Sequence, residues 1–290
     1  DQGCSNVGVA QGINWAIAEK ADVINMSLGG AFGTAMERDA VAAAEAAGVV
    51  VVAASGNDGT ARVSYPAAFP TAIAVGATSP DNKRADFSQF GAELDIVAPG
   101  VDVESSVPLG SGRESEVFVV LDGESTLTES TSFSGSALVE QAIEKEVVHV
   151  GLAKPADFQG VNLKGKFALV QRGEITFADK VKNALAADAD GVVVYNNEAG
   201  LIHGSITEDG STLSIPVIMV TQAVGEKAAK VVKAGTSVSV SIRVGKTDYA
   251  GFSGTSMASP HVAGVVALVK AANPKLTPAQ IREILSLTAT

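Results

Sequence analysis

The sequence predicts an α/β fold: a parallel sheet with helices on both faces, interrupted by a smaller α+β insert. Three observations carry that prediction. Segments with apolar residues at helical spacing alternate with short, continuous apolar runs. The run Val49 to Ala54 is apolar throughout and mostly β-branched, as in a central strand covered on both faces. Near residue 106 the composition shifts to a stretch rich in Ser, Gly and Glu, which marks the start of the insert.

Val9, Ile13, Ala16 and Ile17 predict a helix over about residues 7–20, and Asp22 to Ser27 follows as a buried strand. Met36, Ala40, Val41, Ala44 and Ala47 predict a second helix, with Gly48 as its stop. Val49–Ala54, Ala72–Gly76 and Leu94–Ala98 complete the strands of the first part. Helices alternating with buried strands imply a parallel sheet, in which functional residues gather at strand carboxyl ends. Ser27-Leu28-Gly29 and Ser55-Gly56-Asn57 stand at such ends.

In the insert, no element is assigned over residues 107–146. Beyond them come a strand before Gly173, a helix from Thr176 to about Ala187, and strands at Gly191–Tyr195 and Ile215–Val220. A helix at Gln222–Ala234 and an alternating strand at Ser237–Val244 follow. The expected organisation is residues 1–106, an insert over 107–246 with its core at about 147–244, and residues 247–290.

Composition excludes several classes. A net charge of −11 argues against binding nucleic acid or an anionic membrane. No segment is long and apolar enough to span a bilayer. Cys4 is the single cysteine, so no internal disulfide forms, and it reads as a small packing residue. The three histidines are far apart in sequence and suggest no zinc cluster.

The most informative string is Gly254-Thr255-Ser256-Met257-Ala258-Ser259-Pro260-His261. Val262, Val265, Val266, Leu268 and Val269 follow at helical spacing, so a helix begins close to Ser256. Pro260 is then expected in its first turn. Taken alone, such a serine reads as an N-cap on a core helix. At a helix start, its hydroxyl and N–H also suit an oxygen developing negative charge.

The longer pattern resembles the subtilisin-like serine peptidases (subtilases). The nucleophile string is joined by Ser55-Gly56-Asn57-Asp58-Gly59, by Asp22 through Gly30, and by Phe87-Ser88 with Glu93 through Gly100. The resemblance spans roughly residues 1–106 and 247–290, and it implies the three-layer subtilisin-like fold. It implies a serine endopeptidase with Ser256 as nucleophile and Asn57 as oxyanion donor. Ser27, Leu28, Gly29, Ala54, Ser55 and Gly56 would line the substrate cleft. Protein or peptide substrates and an extracellular setting go with it.

Residues Gly160–Val244 resemble the protease-associated (PA) domain, through Lys164-Gly165-Lys166, Gln171-Arg172-Gly173 and Phe177-Ala178-Asp179-Lys180. Such domains carry no catalytic residues. Arg172 is expected in a salt bridge or in solvent. A weak calcium site is implied at Ala67, Glu93 and Asp95; hard cations favour such oxygen ligands.

The base is the difficulty. Five residues after Ser256 on one helix, His261 points about 140° away from it; the resemblance makes it a buried structural residue. His149 and His203 fall in or near the insert and lack a His-Gly-Thr setting. Asp22 and Asp58 read as turn or capping residues. The chain is expected to lack the family's catalytic Asp and His and to be inactive alone. A non-catalytic scaffold binding a partner through the PA domain is the alternative.

Overall fold

The computed structural model describes residues 4–198, 200–207 and 209–289. The chain opens with α1 (Asn6–Ala18), β1 (Val23–Met26), α2 (Ala35–Ala46), β2 (Val50–Ala54), β3 (Ala72–Thr78) and β4 (Ile96–Pro99). Next come β5 (Val103–Ser106), β6 (Gly112–Leu121), β7 (Glu124–Thr128), β8 (Ser130–Ser132), β9 (Val139–His149), β10 (Phe167–Gln171) and α3 (Phe177–Ala186). They continue as β11 (Gly191–Tyr195), β12 (Val217–Val220), α4 (Gln222–Lys233), β13 (Val238–Thr247) and β14 (Tyr249–Phe252). Two helices close the chain, α5 (Thr255–Ala272) and α6 (Pro278–Thr288). Two units result: Asp1–Val103 with Phe252–Thr290, and Glu104–Gly251. The division falls a few residues from the expected 106/107 and 246/247.

In the first unit, β1-β2-β3-β4 form a wholly parallel sheet. Alternate residues of β2 supply two cores. Val51 and Ala53 pack with Ile13 of α1 and with Val41 and Ala44 of α2. Val50 and Val52 pack with Ala258, Val262 and Val266 of α5 and with Ile281 of α6. Burial of a valine is worth roughly 1.5–3 kcal/mol, so a run buried on both faces is held firmly at the sheet centre. The α2 boundaries are local. Thr34 and Glu37 make a reciprocal capping box, and Gly48 takes the left-handed φ of +81° that ends the helix.

Four expectations are corrected here. Strand β1 is only partly buried, because it is an edge strand of the described sheet. Cys4 is exposed, lying ahead of α1 rather than in a core. Val265 and Leu268 of α5 are also exposed, as is His261. They lie on the side of α5 turned away from the sheet that buries Val262 and Val266.

The second unit holds an eight-stranded sheet ordered β7-β6-β13-β9-β10-β11-β12-β8. Strands β9 to β12 run parallel and the flanking strands antiparallel. Val181 and Ala184 of α3 pack on one core, and Ala228 and Ala229 of α4 on the other. Strand β13 alternates buried and half-buried residues, as its sequence pattern implies. Residues 107–146, left without elements by the sequence reading, form strands β6 to β8 and most of β9. Their glutamates line solvent-facing positions, which hid the period of two in the apolar residues.

Candidate active site

Strands β1 and β2 end on the side of the sheet where α5 begins. Ser256 is the second residue of α5, and Gly254, not a serine, is the N-cap. The Ser256 N–H therefore has no intrahelical acceptor. Its Oγ donates to Ser27 O at 3.2 Å, and Ser27 Oγ donates to Ser256 O at 2.7 Å. The second bond follows from Pro260, which lies in the second turn rather than the first. A residue there would donate its N–H to Ser256 O; proline has none, and the Ser27 hydroxyl takes that place. Ser27 Oγ also lies 3.0 Å from Ser259 Oγ and accepts from Asn25 Nδ2 at 3.0 Å, while Ser259 donates to Asn25 Oδ1 at 2.8 Å. The strand end and the first helical turns are thus tied by side chains.

Asn57 is held by its oxygen. Oδ1 accepts from Thr255 N and from Thr255 Oγ1, both at 2.9 Å. That fixes the amide so that Nδ2 is the remaining donor. A Cβ added to Gly254 would lie 3.5 Å from this Nδ2, which places it beside the helix start. Two N–H donors, Asn57 Nδ2 and Ser256 N, therefore flank the start of α5 next to the Ser256 hydroxyl. Thr255 completes the frame by accepting from Gly56 N at 3.1 Å. The sequence reading missed Thr255, Asn25 and Ser259; position N1 next to the serine was the one available signal for Thr255.

The residues expected to line the cleft separate into two groups. Gly29 is open, and a Cβ there would meet Tyr65 O at 3.2 Å, Ser64 Cβ at 3.3 Å and Ala54 O at 3.9 Å. Gly29, Ala54 and Ser64 thus share one wall, next to exposed Ser27 and half-buried Leu28. Ser55 is fully buried: its Oγ donates to Gln89 O at 3.1 Å and its carbonyl accepts from Ser64 N at 2.8 Å. It supports the wall from behind. Gly56 has φ +108°, and a Cβ there would fall 1.8 Å from Gln89 Oε1. Gln89 itself donates to Arg62 O and packs behind the same turn.

No base for Ser256 is found among the described residues of this unit. His261 Nδ1 lies 2.8 Å from Met257 O on its own helix. Asp22 pairs with Lys270 at 3.1 Å. In the second unit, His149 Nε2 meets Tyr195 Oη at 3.0 Å, and burial pushes its pKa down. His203 Nδ1 meets Thr131 Oγ1 at 2.9 Å. Arg172 pairs with Glu198 and donates to Asn196 Oδ1 at 3.0 Å, the structural salt bridge expected.

At the expected cation site, Asp95 is already partnered. Its Oδ1 accepts from Arg282 Nε at 2.7 Å, and its Oδ2 accepts from Ala74 N at 2.8 Å. Arg282 also donates to Pro70 O. A metal ion would compete with this guanidinium for the carboxylate.

Residues 1–139 match the Subtilase family, and residues 136–228 match the PA domain. Residues 1–139 are thus similar to a subtilase domain. Alkaline elastase YaB from Bacillus sp. (strain YaB) is 55% identical over 108 residues, which are 37% of this chain and 28% of that protein. Subtilisin BL from Lederbergia lenta is 47% identical over 133 residues, 46% of this chain and 47% of its own length. Among solved structures, the psychrophilic subtilisin-like protease Apa1 from the Antarctic psychrotroph Pseudoalteromonas sp. AS-11 matches all of the chain. Its TM-score is 0.61 at 28% identity, and 68% of its own chain is covered. The chain thus spans less than half the length of these two curated relatives. The fold is subtilisin-like, with a PA domain before α5.

Proposed function

We propose that this subtilase-like domain cleaves peptide bonds through an acyl-enzyme on Ser256. The observation that carries the reading is the locked amide of Asn57, whose oxygen Thr255 holds while its Nδ2 lies beside the start of α5, next to Gly254 and the Ser256 N–H. Ser256 Oγ attacks the scissile carbonyl carbon and gives its proton to a base. The carbonyl oxygen takes the negative charge and is bound by Asn57 Nδ2 and Ser256 N–H. Collapse breaks the C–N bond, and the leaving amine takes the proton back from the base. Water then hydrolyses the ester. Substrate would lie along the wall of Ser27, Leu28, Gly29 and Ala54.

The base and its orienting carboxylate belong, in this proposal, to residues outside these 290. The extracellular setting is part of the same reading, tested by recovering the protein from the medium. A calcium ion at Ala67 O, Glu93 and Asp95 is a separate proposal. It would have to displace Arg282 from Asp95, so a rise in Tm with calcium should be larger in Arg282→Ala than in wild type.

The test is labelling with a fluorophosphonate, followed by peptide mapping. A protein extended upstream through its own coding sequence should be labelled stoichiometrically on Ser256. An extended protein that is folded yet unlabelled favours the non-catalytic scaffold.

A further inference from the structure

Strand β7 ends the eight-stranded sheet of the second unit and, among the described residues, pairs with β6 alone. The turn between them is Asp122-Gly123, with φ of +52° and +81°, and it sets Leu121 opposite Glu124. Hydrogen-bonded and non-bonded pairs alternate from that point. The N–H and C=O groups of Ser125 and Leu127 therefore face the free edge. Apart from Glu124 beside the turn, nothing in Glu124-Ser125-Thr126-Leu127-Thr128 guards it: the strand has no proline, no lysine and no bulge.

An apolar groove of about 140 Å³ adjoins this edge. Val119, Leu121 and Thr126 form its sheet side, and Val224 and Ala228 of α4 its other wall. A volume of that order accepts a group about the size of benzene. Leu127, at its border, is 62% exposed. Lys227 lines the groove and is exposed. It is one of three lysines on α4, with Lys230 and Lys233, against the single carboxylate of Glu226.

We propose that this edge binds an extended polypeptide by strand addition to β7. One apolar side chain enters the groove, and a neighbouring acidic residue faces Lys227. Main-chain bonds from Ser125 and Leu127 would supply affinity and the groove would supply selectivity. A second copy of the chain fits less well, since each carries a net charge of −11. The proposal does not depend on the chemistry of Ser256.

The experiment uses the Ser256→Ala chain, so that no probe is cleaved. Fluorescence anisotropy follows a fluorescein-labelled peptide, acetyl-Thr-Val-Leu-Asp-Thr-Val-amide. Saturable binding is expected. Ser125→Pro should weaken it by about tenfold or more, because it removes an outward donor and blocks the edge. Lys227→Glu should weaken it too, and a peptide with lysine in place of aspartate should recover the loss. Thermal melts confirm that each variant is folded. Absence of saturable binding, or binding indifferent to both substitutions, overturns the proposal. So does self-association in sedimentation that both substitutions abolish, which would make a second copy the occupant.

Discussion

The two units place polar side chains at the carboxyl ends of parallel strands, yet they use them differently. In the first unit, Thr255 holds the Asn57 oxygen and leaves Nδ2 as the remaining donor, while Asn25 and Ser259 brace Ser27, whose carbonyl accepts from the Ser256 hydroxyl. In the second, the polar groups close on the backbone. Lys180 is fully buried and donates to Leu152 O at 2.6 Å and Gly173 O at 2.9 Å. Asn183 donates to Ala153 O, and Asn196 joins Arg172 to Gly200 O. A strand-end location alone therefore does not make a catalytic site. What distinguishes the first unit is a hydroxyl and an amide donor held together beside a helix start.

That contrast can be broken by mutation. The largest effect is expected at Asn57. In the upstream-extended protein, Asn57→Ala should lower turnover of a peptide substrate by about 10²–10³-fold with KM nearly unchanged, the loss known for removing the oxyanion-hole asparagine of a subtilisin. A fall confined to KM would assign Asn57 to substrate binding instead.

Lys180→Met comes next and should act on stability. It leaves two part-buried carbonyls unpaired, at about 1–3 kcal/mol each, while relieving the burial of a charge; a net loss of about 2 kcal/mol is expected. Denaturant unfolding of the chain measures it. A neutral result would mean that Lys180 does not hold the loops at Leu152 and Gly173.

Thr255→Val should cost about tenfold in turnover, roughly 1.4 kcal/mol. It removes one of the two donors that orient Asn57 but keeps the backbone one. An effect as large as that of Asn57→Ala would show that the hydroxyl alone orients the amide.

The smallest effect concerns pH. Burial, and then the nearby charge of Lys233, push the His149 pKa below its ordinary 6.5. The folded second unit thus binds this proton less readily than the unfolded chain. The stability His149 contributes is present above about pH 6.5 and is lost as pH falls through its folded value. Tm measured from pH 8 down to 5 should fall, and His149→Gln should flatten the decline.

Much of this was legible in the sequence, for physical reasons that differ by residue. Val49–Ala54 was readable because burial on both faces requires an unbroken apolar run. The placing of Ser256 at a helix start and of Asn57 in a turn after a strand was readable because glycines and an apolar run pattern both segments. What a helix meets in space was not readable: the periodicity marked Val265 and Leu268 as apolar but could not say which layer covers them. His261, which the resemblance implied to be buried, is exposed on the same side of α5 as these two. Ser55 shows a third limit, since alternation along a strand end decides which neighbour faces a cleft and which supports it. The hairpin at Asp122-Gly123 carried a usable turn signal, but the surrounding glutamates masked the strands on either side.

The central claim is that this chain holds the nucleophile and oxyanion donors but not the base. Fluorophosphonate labelling of the 290-residue chain beside its upstream-extended form tests it most directly. The account predicts stoichiometric modification of Ser256 in the extended protein and none above the Ser256→Ala background in the shorter chain. Rapid labelling of Ser256 in the 290-residue chain, or labelling of a different serine in the extended one, would contradict it.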